Sequence, residues 1–157
     1  MQHPTAILLH RTREGSHYDW LLSSPGDPLG PLWTARIALP PGAWAAARLL
    51  PVQRLPDHRR VYLEYQGPLS QGRGEVLRID RGGFRAELWT AGRIVIDLRL
   101  RGYAGRVELR GGEQGELWTA RFHPSPATPR VQGRGLPNVM EERSITQATV
   151  PPWWEFP

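Results

Sequence analysis

Two histidines and an aspartate fall within ten positions in "LLHRTREGSHYDWLL": His10, His17 and Asp19. Residues two apart on a strand share a face, so His17 and Asp19 point together, with Tyr18 and Trp20 opposite. With a loop over residues 11–16, His10 lies across from His17, where facing Cβ atoms are about 5 Å apart. The three side chains then converge. Two imidazoles and a carboxylate form a facial set with coordination positions left open, suited to Mn²⁺, Fe²⁺, Co²⁺ or Zn²⁺. Open positions suit catalysis. The competing reading is three unrelated polar residues around a turn, because one step of register slip would send His17 and Asp19 to the other face.

A second group lies in "LPDHRRVYLEYQGP". His58 and Tyr62 are four apart, which on a strand is one face. An imidazole beside a phenol can bind a phosphate oxygen or move a proton. The plainer alternative has Tyr62 in the core and His58 at a turn.

The elements that must carry these residues read as short strands. Expected strands cover residues 5–10, 17–22, 32–39, 59–65, 74–81, 84–89, 93–100, 105–110 and 117–122, with one helical turn around 45–48. In 32–39, Trp33, Ala35, Ile37 and Leu39 share a face; in "RIVIDLRLRG", Ile94, Ile96, Leu98 and Leu100 do. With 17 glycines and 16 prolines in 157 residues, turns are frequent. The expected fold is all-β, a compact antiparallel barrel of about eight strands. Residues 1–122 form the barrel domain. Residues 123–157 read as a Pro-rich C-terminal tail whose Trp153, Trp154 and Phe156 dock either on the barrel or on a second subunit, giving a homodimer.

The chain has no cysteine, which excludes disulfides, thiolate metal sites and cysteine nucleophiles. Its net charge is +5, and with no lysine all 20 basic residues are arginine. Codon bias accounts for that in the bland reading; phosphate recognition by the guanidinium fork accounts for it in the functional one. No apolar stretch approaches the ~20 residues of a membrane span, and no leader is visible. The expectation is a soluble, cytoplasmic protein.

Taken in order, His10, "HYD" at 17–19, "DH" at 57–58, Tyr62, "EYQG" at 64–67, "GRG" at 72–74 and "RIDRGGF" at 78–84 form a series. The series resembles the 3′-phosphoesterase domain of bacterial DNA ligase D, and especially its short stand-alone relatives, over roughly residues 5–122. The resemblance implies a metal-dependent phosphoesterase that acts on 3′-phosphate or 3′-ribonucleotide ends during DNA end repair. It implies His10, His17 and Asp19 as ligands of Mn²⁺ (or Zn²⁺ or Co²⁺ in its place). His58 and Tyr62 would contact the scissile phosphate, and DNA or RNA–DNA 3′ ends would be the partners, with a repair ligase or polymerase alongside. The ligase D domain carries an arginine two residues after the aspartate; here that residue is Leu21, and the stand-alone relatives also tend to have an apolar residue there. Arg36, Arg59, Arg60 and Arg73 are the candidates to supply the missing cation. The alternative is a non-catalytic nucleic-acid-binding barrel that has lost the activity with the arginine.

Overall fold

The computed structural model describes residues 1–112 and 115–129. Nine strands run in chain order: β1 (His3–Thr12), β2 (Gly15–Ser23), β3 (Leu32–Ile37), β4 (Leu49–His58), β5 (Gly67–Pro68), β6 (Glu75–Trp89), β7 (Arg93–Arg99), β8 (Ala104–Gly111) and β9 (Leu117–Pro124). One helical turn, α1 (Trp44–Ala47), joins β3 to β4. The sheet order is β1-β2-β3-β4-β9-β8-β7-β6, and β6 pairs back onto β1, closing an eight-stranded antiparallel barrel. The two-residue β5 adds to β6 outside the ring. Closure leaves no long open edge to be covered.

Alternation along the strands separates two apolar layers. Ile7, Leu9, Trp20, Ile37, Ile96 and Phe122 belong to the barrel interior. From α1, Trp44 is fully buried, with ring centroids 4.7 Å from Trp20 and 5.0 Å from Phe122, and its indole N–H donates to the Leu39 carbonyl. A second cluster, Ala6, Leu8, Leu21, Leu32 and Val76, lies on the outward face of the same strands. Residues between β4 and β6 cover it, with Tyr62, Leu63, Tyr65 and Leu69 packed against it. The strands that carry the histidine hairpin are therefore apolar on both sides.

Four expectations change. The hairpin loop shrinks from residues 11–16 to 13–14, because Thr12 pairs with Gly15 and the Thr12 hydroxyl ties the turn. Residues 59–65 are not a strand: Arg60–Leu63 is a 3-10 turn. A three-residue period puts Tyr62 and Tyr65 on one side, where both pack over the outer cluster.

The strand at this point is instead β4, whose two prolines hide it. Pro51 pairs with β9 beyond the reach of β3, and Pro56 lies beyond the reach of β9. Each proline sits where β4 has one neighbour, so no ladder donor is lost. Residues 74–81 and 84–89 form one strand, β6. Its Gly82–Gly83 step marks the handover from β1 to β7 rather than a turn. A Cβ on Gly82 would collide with the Arg99 carbonyl.

β9 runs to Pro124, past the expected barrel boundary. Ser125 donates its amide to the Ala104 carbonyl, which also accepts from the Thr128 hydroxyl. The rest of the expected tail, with Trp153, Trp154 and Phe156, lies outside the described residues. Among the described residues, no helix is long and apolar enough to cross a membrane.

Candidate metal and phosphate site

β1 and β2 pair with His10 opposite His17 and Leu8 opposite Asp19. The three polar side chains leave the outward face just beyond the apolar outer cluster. Their nearest ligand-type atoms all lie within 4.8 Å of one another. His10 Nδ1 is 3.1 Å from His17 Nε2 and 3.4 Å from Asp19 Oδ2, and His17 Nε2 is 3.1 Å from Asp19 Oδ1.

Each histidine has an orientation to account for. His10 Nε2 is 2.8 Å from the Arg73 carbonyl, which can only accept. Nε2 therefore carries a proton, and Nδ1 faces Asp19 and His17, where it offers a lone pair whenever the ring is neutral. Such a carbonyl behind a ring fixes the tautomer that a metal needs. His58 follows the same logic: Nδ1 donates to the Pro56 carbonyl at 2.9 Å, leaving Nε2 facing Asp19 Oδ2 at 3.9 Å. His58 is further held by its place at the end of β4, where its amide donates to the Thr34 hydroxyl.

Asp19 is 2% exposed. Burial pushes its carboxyl pKa up, but the His10 and His17 rings beside it outweigh that and bring it down to about 2. Burial lowers the His10 pKa, but the Asp19 carboxylate and the Arg73 carbonyl, as acceptors facing its two ring nitrogens, outweigh that and leave a net rise. Asp19 Oδ1 is buried with no hydrogen-bond partner, and His17 Nε2 lies 3.1 Å from it. A buried orphan oxygen beside two inward ring nitrogens fits a divalent cation: one hard oxygen and two imidazoles, as in facial sites with open positions.

The pocket around this set measures about 470 Å³. β3 contributes Arg36, opposite Asp19; β4 and the following turn contribute Asp57, His58, Arg59 and Tyr62; the stretch before β6 contributes Arg73. The His58 and Tyr62 rings meet edge to face at 5.8 Å, so the 3-10 turn brings together what a strand was expected to. Arg59 sits over the Tyr62 ring. Arg60 does not line the pocket; its guanidinium donates to the Ser23 hydroxyl. Leu21 is fully buried in the outer cluster, below the cover that carries the tyrosines.

No family model matches this chain, and no curated protein matches it.

Sequence reasoning missed the two carbonyls, of Pro56 and Arg73, that set the histidine tautomers. Backbone acceptors carry no side-chain signal. It also missed the apolar lining from Leu55 and Leu69. The Asp80 of "RIDRGGF" lies outside the pocket: its carboxylate accepts from the amides of Arg81, Arg101 and Gly102 and caps the β7–β8 turn.

Proposed function

We propose that the chain is a metal-dependent phosphoesterase that removes phosphate, or a 3′-terminal ribonucleotide, from nucleic-acid 3′ ends, in keeping with the ligase D resemblance. One observation carries the proposal: His10 and His17 converge on Asp19, which keeps a buried, orphaned oxygen, within a pocket walled by His58, Tyr62 and arginines. His10, His17 and Asp19 are the metal ligands, and Mn²⁺ is the first candidate, with Zn²⁺ or Co²⁺ in its place. The bound ion would supply Lewis acidity at a phosphoryl oxygen and an acidified water.

The chain's own groups do the rest. Arg36, Arg59 and Arg73 neutralise and orient the phosphate. His58 Nε2 is the proton donor to a phosphoryl oxygen or to the leaving 3′-oxygen. Tyr62 positions His58 edge-on and offers its hydroxyl to the same phosphate. Water adds to phosphorus, the P–O3′ bond breaks, and the 3′-oxygen leaves with a proton.

A second reading is supported by Leu21. The cation expected two residues after the aspartate is replaced by a sealed leucine, which favours a barrel that holds strand ends without turnover.

The experiment is release of phosphate from a primer-template with a 3′-phosphate end, with Mn²⁺, with EDTA and with His17→Ala. Metal-dependent release, lost at least 1,000-fold in His17→Ala (about 4 kcal/mol), is the expected result. Failure to release phosphate or a 3′-ribonucleotide with any of the three metals overturns the enzyme reading and leaves the binding barrel.

A further inference from the structure

A second crevice of about 620 Å³ opens beside the first, along the tip of the β1–β2 hairpin. The two share His10, His17, Arg36 and Arg73, so they are one continuous surface. The outer part is walled by Thr12, Arg13, Glu14 and Ser16, with Gly15 and Gly72 on its floor. Both glycines have positive φ, at 137° and 67°, and a Cβ built on either meets nothing within 4 Å. Space that a side chain would fill stands open over two stretches of backbone. Three arginines border this space against a single carboxylate, Glu14.

We infer that this crevice is a second phosphate subsite, which takes the internucleotide phosphate next to the terminal one and makes the protein select a polynucleotide strand over a mononucleotide. The inference rests on the proposed reading that the first pocket takes a strand end. Arg36, on the wall between the two spaces, bridges the neighbouring phosphates. Arg13, at the hairpin tip, reaches the second phosphate alone. Backbone lying open over the glycines admits the close approach of a sugar-phosphate chain, as positively charged grooves that track single strands do.

The test compares wild type with Arg13→Gln, a surface change at the hairpin tip. Binding of a labelled, 3′-phosphorylated single-stranded oligonucleotide is followed by anisotropy in EDTA, with a deoxynucleoside 3′-monophosphate as competitor. The wild type is expected to bind the oligonucleotide at least tenfold more tightly than the monophosphate. Arg13→Gln is expected to weaken the oligonucleotide about fivefold and flatten its salt dependence, and to leave the monophosphate unchanged. Equal affinity for the two ligands, or equal loss for both in Arg13→Gln, overturns the subsite. Because the readout is binding without metal, a protein that shows the length preference but no turnover loses the phosphoesterase reading and keeps the subsite. One that binds both ligands alike here, yet releases phosphate in the separate Mn²⁺ turnover assay, does the reverse.

Discussion

A neutral imidazole has one donor and one acceptor, so the group behind a histidine decides what it offers in front. Carbonyls behind His10 and His58 hold one ring nitrogen of each and turn the other toward Asp19. Glu75 is the counterexample, a buried polar group with no such arrangement. It is 1% exposed, both its oxygens lack hydrogen bonds, and Arg11 approaches only to 3.6 Å. Burial pushes its carboxyl pKa above the ordinary 4.5, and Arg11 pulls it back by less. A raised carboxyl pKa means that the folded state holds the proton more tightly than the unfolded one. Its cost is absent below pH 4.5 and grows as pH rises from there to the folded value. Glu75→Gln should therefore raise Tm at pH 7 and change it little at pH 4. Thermal unfolding at both pH values checks this; equal shifts at the two would mean that charge burial is not the cause.

The element that matters most to the site is the cover between β4 and β6, and it was the least legible. The β1–β2 hairpin could be read directly, since alternation and Gly15 fix its register and hence the His10–His17–Asp19 convergence. The cover could not. "RRVYLEY" alternates like a strand, yet it folds as a 3-10 turn because the outer cluster beneath it rewards placing Tyr62 and Tyr65 together. β4 was hidden by prolines that are harmless only at one-sided positions, a property of its partners and not of its own sequence. Asp80 was legible as part of a motif but not as a turn cap, because its three partner amides lie in residues 81 and 101–102.

The cover also decides what position 21 can hold. An arginine there would bury a guanidinium among Ala6, Leu8, Leu32 and Val76. Leu21→Arg should cost about 3–5 kcal/mol of stability, as an unpaired buried charge does, and should not accelerate phosphate release. A folded, stable and faster variant would show that the cover yields and that the ligase D arrangement fits after all. Chemical denaturation beside a turnover assay reads both.

Across the whole molecule the net charge of +5 is less informative than its distribution. On the β6–β8 side, arginines meet carboxylates: Arg93 and Arg110 pair with Glu108, and Arg106 with Glu87. On the pocket side, Asp57 is taken up by Arg54 and Asp19 by the histidines. Arg13, Arg36, Arg59 and Arg73 face the two connected spaces. A single strand lying there would displace counterions from up to four phosphates. The slope of log K against log salt should then be near −3, at about −0.7 per contact for single strands. Each of Arg36→Gln, Arg59→Gln and Arg73→Gln should flatten it by roughly 0.7. Arg106→Gln, on the opposite wall and already paired, should leave it unchanged. Anisotropy titrations over a range of salt concentrations measure all four. A slope that falls as much for Arg106→Gln as for Arg36→Gln would assign the basic charge to diffuse attraction and remove the pocket from nucleic-acid recognition.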